Sequence, residues 1–175
     1  AMLAEPITNF AFELLDLPAA QVAFTGLRIN DQDETLYVLS EVLDDPAYLK
    51  AHFADPGGVL FKAEVGSSLT YVGDDPSAYA ASFSQETRQN DADAAALIDF
   101  ARFLTQSDDA TFARELPEHL DTGSFATYLA ITNLLVNNDS IAGMNNNYYL
   151  YLDESAGRFS LLYWDGNESL GGLAM

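Results

Sequence analysis

The chain contains no cysteine. That excludes disulfides, thiolate metal sites and a cysteine nucleophile, and it leaves the compartment open. Bases are scarce, with 7 Lys and Arg against 27 acids and a net charge of -20 at pH 7. Nucleic acid and anionic membrane surfaces both need basic side chains to neutralise phosphates, so neither is an expected partner. No apolar run approaches the ~20 residues of a membrane span. His52 and His119 stand alone, without partners at metal-ligand spacing. The G-x-S-x-G, Walker-type G-x-x-x-x-G-K and G-x-G-x-x-G motifs are all missing. Asn137-Asn138-Asp139 and Asp31-Gln32-Asp33 resemble calcium loops in composition, but neither completes an EF-hand pattern. Paired carboxylates for glycoside hydrolysis stay open, because acids are abundant throughout.

What is present suits a folded core. Of the 175 residues, 49% are hydrophobic and 12% aromatic. A chain of this length buries roughly 68–70% of the surface its unfolded form exposes, so it folds without staples. The expectation is one domain over residues 1–175. Ala1 ahead of Met2 looks like an expression scar, which leaves room for a leader or further sequence upstream. The acidity has two readings: a surface adapted to a salty or extracellular environment, or cation binding. An anionic ligand such as ATP would reach this chain only with its charge screened by metal.

Periodicity predicts the elements. Pro6 to Leu17 reads as a helix, with Ile7, Phe10, Phe12, Leu14 and Leu15 as its apolar face. Gln21–Asn30 and Thr35–Val42 read as strands of a hairpin turned at Asp31-Gln32-Asp33. Asp44-Asp45-Pro46 caps a short helix that runs to Phe53 and is broken by Pro56-Gly57-Gly58. Val59–Val65 and Leu69–Val72 read as a second hairpin, and the pattern turns helical from Asp74. Asp91 and Asp93 open a helix whose face is Ala95, Leu97, Ile98, Ala101, Phe103 and Leu104. A shorter helix spans Asp109–Leu120. Asp121-Thr122-Gly123-Ser124 offers N-caps for a helix to about Val136, with Tyr128, Ile131, Leu134 and Leu135 facing inward. Asn147–Leu152 and Arg158–Trp164 form a terminal hairpin closed by Asp153–Gly157. The sum is an α+β unit of two lobes: an antiparallel β layer, a mainly helical portion, then a C-terminal β-hairpin. A cleft between the β layer and the helices is the expected ligand site.

The last third carries the most specific signal. Asp139 follows a buried helix in an Asn-rich loop, where a carboxylate can accept a hydroxyl proton. Taken alone, it reads as an Asx-turn. Asn147 opens the hairpin and offers an amide oxygen to a hard cation such as Mg²⁺, although an amide there also suits an ordinary polar strand start. Asp165 closes the apolar strand Phe159–Trp164 and precedes the flexible Gly166, which suits either a metal ligand or a turn acid. Their joint order, with a helix before and a hairpin inside, is much more specific than its members. It matches what phosphoryl transfer of the protein-kinase type requires: one Asp facing the acceptor hydroxyl, an Asn on metal, and a second Asp on metal. Lys62 lies in the strand Leu60–Glu64 and either contacts phosphates or makes a solvated cross-strand pair. Glu41 is placed to hold Lys62 as an ion pair, or is an edge acid. Trp164 either stacks on a nucleobase or packs in the core.

These residues resemble the CotH (spore-coat protein H) kinase family over most of the chain. Leu27-Arg28-Ile29-Asn30 with Leu36–Glu41 is similar to its strand-turn-strand ending in glutamate. Pro46-Ala47-Tyr48-Leu49, Phe53 and Gly58–Lys62 resemble its next helix and lysine strand. Asn138-Asp139, Asn147–Tyr151 and Trp164-Asp165 resemble its catalytic segment. The resemblance implies an atypical protein-kinase-like fold that uses ATP with Mg²⁺ or Mn²⁺ (Ca²⁺ being the alternative ion) to phosphorylate serine on a surface or coat protein. It implies an extracellular, cell-surface or spore-coat location. Asp139 takes the catalytic role by position, Asn147 and Asp165 the metal, and Lys62, Glu41 and Trp164 the nucleotide. Three departures stand out. Asn167 replaces the family's usual second Asp, and Tyr163 its usual Pro. The family's preceding basic, Gly-containing β segment is missing, and the chain ends at Met175, soon after the metal motif. These departures suggest part of a longer kinase domain, or a member that binds without catalysing. The alternatives are therefore an inactive surface or scaffold module of the same fold, and a calcium-dependent adhesion domain.

Overall fold

Alternation along three strands generates the architecture. In the computed structural model, which describes residues 2–173, β3 (Val59–Ala63), β5 (Tyr148–Asp153) and β6 (Arg158–Tyr163) pair antiparallel. The short β4 (Phe83–Gln85) completes a four-stranded sheet of order β4-β3-β5-β6. Expectations about the chain's ends fall on Ala1 and Met175, which lie outside the described residues. Successive side chains point to opposite faces of a strand. One face therefore carries Val59, Phe61, Tyr148, Leu150, Phe159, Leu161 and Tyr163, all buried in the main core. The other carries Leu60, Tyr149, Tyr151 and Leu162, buried in a second core. A sheet covered on both sides reads as nearly continuous apolar runs, as both strands of the terminal hairpin do.

Five α-helices are present among the described residues. Phe12 of α1 (Ala4–Leu14), Leu97, Ile98 and Ala101 of α3 (Asp91–Gln106), and Tyr128 and Ile131 of α5 (Thr122–Leu134) cover the first face. Phe12 stacks on Tyr163 with ring centroids 4.4 Å apart. Tyr48 and Leu49 of α2 (Pro46–His52) cover the second. Side chains of Asp45, Asn90, Asp108 and Asp121 accept backbone N–H groups at the starts of α2, α3, α4 (Asp109–His119) and α5. Each cap satisfies an otherwise orphaned donor, worth typically ~1 kcal/mol. A separate two-stranded sheet, β1 (Val22–Leu27) with β2 (Thr35–Ser40), projects from this body.

The mixed α+β class, the first and the terminal of the three predicted hairpins, and every predicted helix have counterparts here. Four expectations need correction. Leu69–Val72 is not a strand; β3 pairs with β4 and β5 instead. Tyr71 leaves the sheet because its ring lies under the Arg102 guanidinium and its N–H donates to Thr105. The stretch after Asp74 is not helical at once; a 3₁₀ turn (Pro76–Tyr79) and β4 precede α3. On α1, Phe12 is buried but Ile7, Phe10, Leu14 and Leu15 are exposed. The inward face is Ala4, Thr8, Asn9 and Phe12, two of them polar residues that bond to their own helix, Thr8 Oγ1 donating to the Ala4 carbonyl and Asn9 Nδ2 to that of Glu5. Leu134 is likewise exposed, because the helix ends there.

Candidate active site

Register brings the sequence-predicted residues to one end of the sheet. Lys62 lies opposite Tyr149, and Tyr149 opposite Leu162. In antiparallel strands the end of β3, the start of β5 and the end of β6 then coincide. Lys62, Asn147 (just before β5) and Trp164-Asp165 (just after β6) share that end. α5 delivers Asp139 to the same place. Its N-terminus is pinned to β6, where the Asp121 N–H donates to the Phe159 carbonyl at 2.8 Å. Thirteen residues of helix reach ~20 Å, about the length of β6, so the loop after α5 emerges where β6 ends.

The helix stops sharply. The Val136 N–H donates to the Asn133 carbonyl and the Asn137 N–H to that of Thr132, while Val136 sits at φ 50°. This is a Schellman ending with valine where glycine is usual. The following loop folds on itself. Asn137 Oδ1 accepts the Asp139 N–H at 3.1 Å, and Ser140 Oγ donates to the Asn137 carbonyl at 2.7 Å. Gly143 packs so closely on the Asn138 backbone that a Cβ would overlap the Asn138 carbonyl. The Asx-turn anticipated at Asp139 is thus made by Asn137, which frees the Asp139 carboxylate.

Two amides hold that carboxylate. Asn146 Nδ2 donates to Oδ1 at 2.7 Å, and Asn147 Nδ2 to Oδ2 at 2.8 Å and to the Asp139 carbonyl at 3.2 Å. With its nitrogen so committed, Asn147 turns Oδ1 elsewhere. Asn146 leaves its own Oδ1 buried with no hydrogen-bond partner. Asn145, Asn147 and Asp165 all adopt left-handed backbone, with φ of 52°, 55° and 51°. Asn and Asp tolerate this conformation better than most residues, and such strain gathers at functional sites.

Asp165 is half-buried, and its pKa is raised. Burial is the main cause; the Asn167 N–H opposes it, the Asp139 charge adds to it and the Lys62 charge offsets it. Those influences place Asp139, Asp165 and Lys62 within electrostatic reach of one another. Two carboxylates with mutual repulsion, and an amide oxygen, are the hard-oxygen donor set that suits a Mg²⁺-type ion. Among the described residues no group of three or more His, Cys, Asp or Glu could hold a metal. A cation here would therefore need the amide, waters or ligand phosphates to complete its shell.

A groove of about 610 Å³ opens beside Asp165, lined by Glu5, Leu36, Val38, Trp164, Asp165 and Asn167 among others. It lies between β2, the start of α1 and the turn after β6, not between the β layer and the helices where the sequence placed a cleft. Trp164 is half-buried on its wall and meets Tyr149 edge-on, centroids 5.9 Å apart. Glu41 is not brought to Lys62. Its Oε2 accepts the Gln21 N–H at 3.1 Å, tying β2 to the start of β1, and no Glu41–Lys62 ion pair occurs among the described residues.

Sequence reasoning passed over two neighbours. Asn146 is signalled by the Asn145-Asn146-Asn147 run, which offers three adjacent amides. Glu5 carries no local signal, because it reaches the groove from the other end of the chain. No helix among the described residues is long and apolar enough to cross a membrane. No curated protein matches the chain. The family model described as CotH kinase protein matches residues 2–174, nearly the whole sequence, and the chain belongs to the CotH kinase family.

Proposed function

We propose that this protein transfers a phosphoryl group from ATP to a serine hydroxyl of a protein acceptor, with a divalent cation, at the sheet end built by Asp139, Asn147 and Asp165. The observation that supports this most is the double amide clamp on Asp139, which joins the catalytic carboxylate to the metal-site asparagine. In this reading the β1–β2 hairpin and the main body act as the two lobes of a kinase-like fold, with the nucleotide in the groove between them.

Asp139 accepts the acceptor hydroxyl proton. Each of its oxygens gives one lone pair to an amide and keeps another for that proton. Asn147 Oδ1 and Asp165 would hold the Mg²⁺ or Mn²⁺, which when bound would neutralise charge on the phosphates. Lys62 faces the same end with no ion-pair partner among the described residues, so its ammonium is available to a phosphate. Trp164 offers an aromatic wall to the base. The acidity of the chain requires that ATP arrive with its charge screened. CotH proteins are associated with spore coats, which makes coat or surface proteins the natural acceptors.

Incubation with γ-labelled ATP, Mn²⁺ or Mg²⁺ and a protein acceptor tests this directly. Transfer that disappears in Asp139→Asn and Asp165→Asn is expected; label incorporation that both variants retain would refute the assignment. One observation favours a second reading, that the fold binds without turnover: Lys62 is not held by Glu41. Calorimetry separates the two when that second reading is an inactive surface or scaffold module that binds a partner protein and not ATP: such a module gives no nucleotide heat with metal present.

A further inference from the structure

We propose that Glu5 is a positioning residue of the cation site, adding a negative charge beside Asp165 from the first turn of α1. This rests on the reading of Asp139, Asn147 and Asp165 as a cation site.

Three observations converge on Glu5. First, it lines the groove together with Asp165 and Asn167, although it lies at the opposite end of the sequence. Second, it is fixed rather than free. Asn9 Nδ2 donates to Glu5 Oε1 at 3.1 Å, and the Gly166 N–H faces the same carboxylate. Asn9 is 3% exposed, and its remaining Oδ1 has no partner, so a buried amide is committed to orienting this acid. Third, the Tyr163 hydroxyl, also buried without a partner, packs against Gly166 so closely that a Cβ there would overlap it. The Asp165–Gly166 turn is therefore packed between Tyr163 and Thr8 of α1. Glu5 and Asp165 line the same groove, and Gly166, next to Asp165, lies against Thr8, one helical turn on from Glu5. Two half-buried acids in such proximity repel, and a bound cation relieves both.

Glu5 acts through the field and the turn, and is not among the ligands, in keeping with the lack of a three-acid group. The role is electrostatic. A third negative charge raises affinity for a divalent ion more than for a monovalent one, since the attraction scales with the ion's charge.

The test is Mn²⁺ titration by calorimetry at fixed ionic strength, without nucleotide, on the wild type, Glu5→Gln and Glu5→Gln/Asn167→Asp. Glutamine keeps the shape and an oxygen for Asn9, and thermal melts verify folding. Glu5→Gln is expected to weaken Mn²⁺ binding roughly five- to tenfold, and Asn167→Asp, on the same groove, to restore most of it. Unchanged affinity in Glu5→Gln, with Mn²⁺ still bound by the wild type and lost in Asp165→Asn, overturns the role of Glu5 and leaves the proposed function standing. A weakening that Asn167→Asp does not reverse also overturns it, because the effect is then not one of charge. Absence of Mn²⁺ binding by the wild type, with or without an ATP analogue, removes both the inference and the function on which it rests.

Discussion

Asn147→Asp changes one atom group and leaves the shape of the site intact. Aspartate tolerates the left-handed backbone at φ 55° nearly as well as asparagine, so the loop incurs no new conformational cost. What changes is the clamp. The 2.8 Å bond from Asn147 Nδ2 to the Asp139 carboxylate and the 3.2 Å bond to its carbonyl both lose their donor. A hydrogen bond to a charged group contributes about 1.5–3 kcal/mol and a neutral one about 0.5–1.5 kcal/mol. The site is half-buried and the second bond is long, so the lower ends apply, giving about 2 kcal/mol. Placing a carboxylate against a carboxylate adds repulsion of about 1 kcal/mol even at the dielectric of bulk water, and more at a protein surface. The variant should therefore be at least about 3 kcal/mol less stable at pH 7 in urea unfolding, with an unchanged slope against denaturant. Acid supplies a proton that the two carboxyls can share, which restores one hydrogen bond, so the deficit should shrink toward pH 4. A deficit below about 0.5 kcal/mol, or one that does not change with pH, would refute the claim that Asn147 clamps Asp139.

Three other substitutions probe the same end of the sheet. Asp165→Asn should raise stability at neutral pH while abolishing transfer: a folded-state pKa above the unfolded value means that the stability linked to this group is fully present in acid and is lost as pH rises through the folded pKa, so the advantage of the amide disappears on acidification. A melting temperature at pH 7 below that of the wild type would contradict this. Val136→Gly relieves a β-branched residue held at φ 50° with its side chain 53% exposed, and should stabilise by about 1 kcal/mol in urea unfolding; destabilisation would show that the valine makes contacts not accounted for. Gly143→Ala forces a Cβ into the Asn138 backbone and should cost about 2 kcal/mol or more with loss of transfer, read by denaturation and the labelled-ATP assay; wild-type behaviour would mean the loop is free to open.

Much of the fold is legible in the sequence. Two short apolar runs joined by the Asp153–Gly157 turn announce the β5–β6 hairpin, and Asp45 and Asp121 announce the helices they cap, because those signals are local. β4 was illegible, since three residues cannot display a period of two and their pairing is set by β3. Leu69–Val72 has strand-like composition, but Tyr71 gains more from Arg102 and Thr105 than from a ladder. On α1 hydrophobicity does not track burial, because Thr8 and Asn9 go inside by bonding to their own helix. In the site, the order Asp139, Asn147, Asp165 was readable, and register explains why order became proximity for Asn147 and Asp165. Glu41 shows the limit of that logic. An acid on a strand finds the nearest donor, here the Gln21 N–H, and sequence spacing carries no record of which donor that is.

The account stands or falls on a cation at the sheet end. Anomalous diffraction from crystals grown with Mn²⁺ and a non-hydrolysable ATP analogue measures this directly. A single Mn²⁺ peak coordinated by Asn147 Oδ1 and Asp165, with the phosphates within reach of Lys62, is the predicted result. A nucleotide bound elsewhere, or a groove that holds no ion under those conditions, would contradict it.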